Sequence, residues 1–228
     1  MSVVWHEVEC GSYGADLELW EELAAQGPGP ILDLGCGAGR VMAHLSRRGY
    51  EVCGLDRDPG LIDGLVGAEL GDARDFQLGR QFGLVLAPMQ LAQLFAGADE
   101  RVRCLGCVAE HLTPGGLAAF AIVEEMPEAV DAAPPLPDTR EVEGWVYSSL
   151  PIETLVDPDS IRVRRLRQTV SPAGELSEQV DEVVLRTLDA ASLEGEAGQV
   201  GLRPAGRRAI PPTADHVGST VVLLESES

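Results

Sequence analysis

Apolar positions in this chain switch between two periods. Leu17, Trp20, Leu23 and Ala24 recur at helical spacing and predict a helix over residues 16–25. A Gly/Pro run at 27–30 stops it. Short apolar runs then alternate with helical stretches. Strands are expected from Ile31 and over 51–55, 68–70, 82–87 and 117–123, and helices from Val41 and over 58–66 and 99–112. Strand and helix in regular succession build a parallel sheet with crossover helices. Residues 1–13 carry no period and read as irregular.

The character changes after Glu124. Residues 132–137 are rich in Pro and Ala and read as a connector. Strand-like runs follow over 143–150, 161–170 and 178–188, and Ser171-Pro-Ala-Gly174 is a turn joining the last two as a hairpin. A helix over 188–199 and strands over 201–210 and 219–225 complete the chain. The fold class is therefore α/β, doubly wound, with an antiparallel strand insert after strand five. Four parts are expected: an N-terminal lid and helix (1–26), a ligand-binding core (27–124), an antiparallel insert (125–188), and a closing helix with the last two strands (189–228).

The chemistry concentrates where the first strand hands over to a helix. Ile31-Leu-Asp-Leu-Gly-Cys-Gly-Ala-Gly-Arg40 places Gly35, Gly37 and Gly39 on alternate positions after Asp33. A loop stripped of side chains lets a ligand approach the backbone, and the following helix offers free N–H groups. A dinucleotide fingerprint needs G-x-G-x-x-G, but here the third glycine comes one residue early and Arg40 stands where glycine is wanted. A P-loop needs G-K-[ST], and no Lys follows.

Asp33 to Gly39 resembles the first motif, [DE]-x-G-x-G-x-G, of the class I S-adenosylmethionine-dependent methyltransferases. Val52-Cys-Gly-Leu-Asp56 resembles their second strand. Its acid lies 21 residues after Gly35, close to the ~20 typical of a ribose-binding acid. Gly71-Asp72-Ala73 resembles the third motif, Phe82 to Phe95 the fourth strand with its loop, and Leu112-Thr-Pro-Gly-Gly-Leu117 the turn into strand five. The resemblance implies a mostly parallel, seven-stranded, Rossmann-like sheet and a bound S-adenosylmethionine. It also implies cofactor contacts from Asp33 (methionine amino side), Gly35, Cys36, Gly37, Gly39, Asp56 and Arg57 (ribose), Asp72 and Ala73 (adenine), and Pro88 and Met89. Many relatives carry an acid after the Phe that opens strand four. This chain has Gly83 there, which puts any role for an acid at that point in doubt.

Composition narrows the partners. The 228 residues carry 17 basic and 37 acidic side chains, a formal charge of −20. Such a surface repels phosphate backbones and anionic membranes, so a small-molecule substrate is expected and neither nucleic acid nor membrane. Oligomeric state is not readable. The absence of a basic, then apolar, leader implies a cytoplasmic protein, and arginine in preference to lysine suits a bacterial genome rich in G and C. The five cysteines are odd in number and scattered, which argues against a disulfide framework. Cys104, Cys107 and His111 share a helix face, but zinc needs a fourth ligand and no second Cys/His cluster follows. They read as buried packing, and no metal is expected.

Arg162, Arg164, Arg165 and Arg167 form the one basic run. Charge pairing within the hairpin is the favoured reading: with Val170 opposite Glu175, Arg167 would face Glu178 and Arg164 would face Asp181. Trp145, Tyr147 and Ser149 alternate along one strand face, which either lines a pocket or packs on the domain.

Transfer from a sulfonium mainly requires a held, in-line nucleophile, plus a base where the acceptor is protonated. His6 is the base candidate, and Tyr13 shares its N-terminal segment. Gln90, at the C-terminal end of strand four, is placed to orient a substrate polar group. His44 and His111 read as structural. The leading function is methyl transfer to a nitrogen or oxygen of a small molecule. The alternative is a cofactor-binding regulatory protein that keeps the fold without the transfer.

Overall fold

The computed structural model describes residues 3–27, 29–126, 136–214 and 216–227. Its helices are α1 (Val3–Cys10), α2 (Leu17–Gln26), α3 (Arg40–Ser46), α4 (Pro59–Ile62), α5 (Ala98–His111) and α6 (Ala190–Gly198). Its strands are β1 (Ile31–Leu34), β2 (Val52–Asp56), β3 (Ala68–Leu70), β4 (Phe82–Ala87), β5 (Leu112–Ile122), β6 (Asp138–Val142), β7 (Trp145–Asp157), β8 (Ser160–Val170), β9 (Leu176–Arg186), β10 (Leu202–Ile210) and β11 (Ser219–Ser226).

Seven strands form one sheet in the order β10-β11-β5-β4-β1-β2-β3. The five from β5 to β3 are parallel, and β11 runs antiparallel to both β5 and β10. The central strand β4 is buried at all six positions, as a parallel strand covered on both faces requires. One face packs on α2 and α3 through Leu19, Trp20, Leu23, Val41 and Leu45. The other packs on α5 and α6 through Leu105, Val108, Leu193 and Ala197. A buried pair, Arg101 on Glu196 at 2.6 and 2.7 Å, ties α5 to α6. Because β1 lies between β4 and β2, the strand order reverses there, and a crevice opens at the C-terminal ends of these strands.

The other four strands form a separate antiparallel sheet, β6-β7-β8-β9. Its inner face receives α1. Glu9 accepts hydrogen bonds from Ser149 (2.7 Å) and twice from Arg167 (2.8 Å each). Trp5 meets Tyr147 edge-on at 5.3 Å between ring centroids. The alternating Tyr147 and Ser149 therefore pack on the domain.

Four expectations need correction. Residues 1–13 are not irregular: Val3–Cys10 is helical. Its sequence holds three valines and no terminal charge bias, so its helicity comes from docking Trp5, Val8 and Glu9 rather than from propensity. The insert has a fourth strand, β6, whose polar sequence DTREV hides it because it is a mostly exposed edge. The β8–β9 register is one residue off the expected pairing: Val170 opposes Leu176, Arg167 opposes Gln179 and Arg164 opposes Glu182. The turn is one residue longer, closed by Ser171 N–H on the Glu175 carbonyl. Helix α4 covers only 59–62, because Gly64 and Gly67 take positive φ. The expected connector at 132–137 lies outside the described residues as far as 135, as does Pro28 of the expected stop before β1.

The arginine run is paired, and one pair follows the observed register: Arg164 Nε lies 3.9 Å from Glu182, its cross-strand neighbour. Arg162 meets Asp157 at 2.6 Å, Arg164 meets Glu153 at 2.7 Å, and Arg167 meets Asp181 at 2.8 Å. Arg165 holds Asp138 and Ser149.

Candidate active site

A cavity of about 500 Å³ fills the crevice, within the ~300–1,000 Å³ usual for small-molecule sites. Asp33, at the end of β1, is its floor. The carboxylate is buried, with Oδ2 accepting the Met42 N–H at 3.2 Å and Oδ1 without a partner. Burial pushes this carboxyl up to about 7, although Arg40 and the Met42 N–H pull the other way. A buried carboxylate oxygen with nothing to bond is the mark of a site shaped for a donor from outside.

The glycine loop takes the backbone over this floor. Gly35, Gly37 and Gly39 all have positive φ. A Cβ at Gly37 would run into the His6 ring, which α1 lays directly over the loop. Asp56, ending β2, accepts the Gly37 N–H at 2.8 Å through Oδ2 and the Asp58 N–H at 2.9 Å through Oδ1. Its carboxylate is thereby fixed at the cavity edge with lone pairs to spare. Asp72 also lines the cavity, but Arg74 grips both its oxygens, Nε on Oδ1 at 2.9 Å and a guanidinium NH2 on Oδ2 at 2.5 Å. That grip holds Asp72 at about 2.

At the end of β4, Pro88, Met89 and Gln90 line the cavity. Met89 (φ 54°) and Gln90 (φ 63°) are both left-handed, a strain of the kind concentrated at functional sites. Gln90 donates to the Ser219 hydroxyl at 3.3 Å. His6 is largely buried, and desolvation lowers its basicity despite the nearby Asp56 carboxylate, so its ring is held toward the neutral form.

The cavity thus brings together His6, Asp33, Gly35, Cys36, Asp56, Arg57, Asp72, Ala73, Pro88, Met89 and Gln90. Gly39 and Tyr13 line a neighbouring cavity of about 360 Å³ on the other side of His6. There the Tyr13 ring rests on His216 at 4.7 Å, and its carbonyl accepts from Arg40. Sequence reasoning missed several lining residues: Cys10 from α1, Leu91, Leu94 and Phe95 after β4, and Val183 and Leu185 from β9. The alternation of Val183 and Leu185 was a readable strand face, but nothing local says which cavity a strand face meets. It also missed Gln93, a buried amide that bonds both backbone groups of Val123 and the Arg186 carbonyl, joining the end of β5 to β9. Arg40, placed where a dinucleotide fingerprint wants glycine, reaches back to Asp16 at 2.6 and 2.7 Å and pins the segment after α1. His111 is held between the Cys107 carbonyl and the Leu78 N–H, so both ring nitrogens have backbone partners.

Residues 31–116 match the family model described as a methyltransferase domain. A dTDP-3-amino-3,4,6-trideoxy-alpha-D-glucopyranose N,N-dimethyltransferase from Streptomyces venezuelae is 31% identical over 93 residues, 38% of this chain and 39% of that protein. A cypemycin N-terminal methyltransferase from Streptomyces sp is 32% identical over 96 residues, 39% of each chain. The chain therefore matches only 39% of the length of these curated relatives. Among solved structures, a sugar N-methyltransferase from Streptoalloteichus superposes with a TM-score of 0.77 at 18% identity, covering 99% of this chain and 92% of that one. An S-adenosylmethionine-bound amino pentose methyltransferase from Micromonospora echinaspora gives 0.72 at 18% identity, covering 99% and 97%. The chain has the class I S-adenosylmethionine-dependent methyltransferase fold, with a methyltransferase domain over residues 31–116.

Proposed function

We propose that this protein transfers a methyl group from S-adenosylmethionine to a nitrogen of a small molecule. The observation that carries the reading is the unpartnered, buried Asp33 oxygen beneath a side-chain-free loop at the switch point of the sheet. The match of residues 31–116 and the relatives named as amino-sugar N,N-dimethyltransferases support it.

When bound, S-adenosylmethionine supplies a methyl carbon already activated by a positive sulfur. The rest falls to the chain. Asp33 accepts the amino end, and the preference for a proton that its burial creates is relieved by a cation. Asp56, fixed by two backbone N–H groups, accepts ribose hydroxyls with its remaining lone pairs. The loop of Gly35–Gly39 allows the close backbone approach. Arg57, Asp72, Ala73, Pro88 and Met89 enclose the rest, and Cys36 packs beside the loop. His6, held neutral by burial, takes the proton of the acceptor amine at a ring nitrogen. Gln90, cramped in a left-handed conformation and anchored to Ser219, orients the acceptor. The lid (1–26) and the insert (125–188) close the substrate side over the core (27–124), while 189–228 completes the main sheet. No described helix is long and apolar enough to cross a membrane. All five cysteines are free, which suits a reducing cytoplasm.

The test is turnover with methyl-labelled cofactor on a panel of amino sugars and simple amines. Label in an N-methyl product, lost in His6→Gln, is expected. A co-purifying nucleoside with no transfer to any amine would overturn the enzyme reading in favour of a cofactor-binding protein without transfer.

A further inference from the structure

The polar groups around the main cavity divide unevenly between its two ligands. On the reading proposed above, Asp33, Asp56 and Asp72 serve the cofactor, and the exposed Arg57 stands next to Asp56 at the ribose end. Arg40 is held by Asp16 and the Tyr13 carbonyl. Arg74 is held by Asp72 and Glu100, and Asp58 accepts the Gly60 N–H. The opposite wall is aliphatic. It is built from Leu91 and Leu94 of a short 3-10 helix (Leu91–Leu94) and from Val183 and Leu185 of β9. Leu91 lies over Gly35, where a Cβ would meet it at 2.9 Å, so the wall faces the methionine end of the loop. Leu94 is 52% exposed, a large apolar side chain left open on the cavity. Arg186 follows Leu185 and, because side chains alternate along a strand, points away from the cavity.

We propose that the acceptor is an amine on an apolar body, an alkyl or aryl amine, and that Val183, Leu185, Leu91 and Leu94 select it. This rests on the methyl-transfer reading and narrows its substrate class. It also sets the acceptor apart from the amino sugars in the names of the relatives. Among the described lining residues, the polar groups left for the acceptor are few. His6 and Gln90 serve the amine itself: the Gln90 NH2 is committed to Ser219, which leaves its amide oxygen to accept an N–H. Cys10 lies four residues after His6 and so on the same face of α1. Burial pushes its thiol up to about 11, so it stays protonated and behaves as a small apolar group. A hydroxylated body would set its hydroxyls against aliphatic carbon, and a buried polar group without a partner is penalised.

Selection by an apolar wall requires that the wall hold its place. Gln93 supplies this. Its buried amide donates to the Arg186 carbonyl and the Val123 carbonyl, each at 3.0 Å, and accepts the Val123 N–H at 2.7 Å. One side chain of the 3-10 helix therefore fastens the end of β9 and the end of β5 beside it. Leu91 and Leu94 on one side and Val183 and Leu185 on the other are held as a single pre-formed surface.

The test is kcat/KM with methyl-labelled S-adenosylmethionine over a matched series: linear alkyl amines of increasing length, and the amino alcohols and amino polyols of the same lengths. Each added methylene is expected to raise kcat/KM by about tenfold until the wall is covered, and a hydroxyl on the body to lower it by about as much. Leu185→Asn is expected to narrow the ratio of alkyl amine to amino alcohol by about tenfold, with the affinity for S-adenosylhomocysteine unchanged by calorimetry. Val183→Thr keeps the side-chain shape and adds one hydroxyl, so it should shift the ratio the same way even where Leu185→Asn fails to fold. Wild-type preference for amino polyols would overturn this inference alone. So would a ratio that neither substitution moves, or a loss of S-adenosylhomocysteine affinity in both variants, which would give the wall to the cofactor. No transfer to any amine would overturn the methyl-transfer reading, and this inference with it.

Discussion

Gly37 concentrates most of the site's logic in one residue. Its positive φ and the His6 ring above it both demand the absence of a side chain, while its N–H holds Asp56. Gly37→Ala should cost about 1–2 kcal/mol in backbone strain alone and displace His6. A calorimetric titration should show affinity for S-adenosylhomocysteine falling more than tenfold. Gly49→Ala is the control. Its φ is also positive but nothing lies within 4 Å, so it should lower the melting temperature and leave the affinity unchanged. Asp33 makes a pH prediction. Burial raises its folded value to about 7 from 3.8, so its contribution to stability is greatest at low pH and is lost as pH rises between those values. Asp33→Asn removes this loss. Urea unfolding should show the variant gaining about 2 kcal/mol on the wild type between pH 5 and pH 8; an unchanged gap would sink the assignment. These residues were legible because a glycine loop is written locally: each position needs a particular backbone, and only glycine supplies it cheaply. The grip of Arg74 on Asp72 was equally local, two residues apart, yet pattern reading has no rule that says when an arginine folds back.

Elements were legible in proportion to how much of their stability is their own. β4 and α2 announce themselves by burial pattern. α1 does not, because a helix of 8 residues with three valines is held by what it meets. That dependence is testable at Glu9. Burial alone would raise its carboxyl, but hydrogen bonds from Arg167 and Ser149 outweigh this and hold it below its usual value. The contribution of the dock is therefore fully present above about 4.5, the unperturbed value, and is lost as pH falls through the lower folded one. Glu9→Ala leaves Arg167, which is 4% exposed, with Asp181 as its one remaining carboxylate and the Trp5 ring beneath its guanidinium. Breaking such a pair should cost roughly 3–5 kcal/mol. Hydrogen exchange should then show the amides of α1 opening while those of β4 stay protected. Equal protection of α1 in variant and wild type would mean that Glu9 does not hold the lid. β6 was hidden for the opposite reason: an exposed edge strand needs no apolar alternation. The one-residue error in the β8–β9 register came from closing the turn at Gly174, when the Glu175 carbonyl is the group that closes it.

At the scale of the whole molecule, the doubly wound class and the place of the crevice followed from the sequence, because strands alternating with helices and ending in acids leave few topologies. The assembly of the site from three separate parts did not. Cys10 from α1 and Val183 and Leu185 from β9 reach the cavity over distances no local pattern encodes. A formal charge of −20 gives these parts a surface that favours neutral or cationic partners, in keeping with an amine acceptor. All of these parts meet at one cavity, proposed as a nucleoside site anchored at Asp33 and Asp56. Calorimetric titration of S-adenosylhomocysteine into wild type and Asp56→Ala tests this most directly. One site per chain, weakened at least tenfold by the substitution, is the predicted result. No binding by the wild type, or equal binding by both proteins, would contradict it.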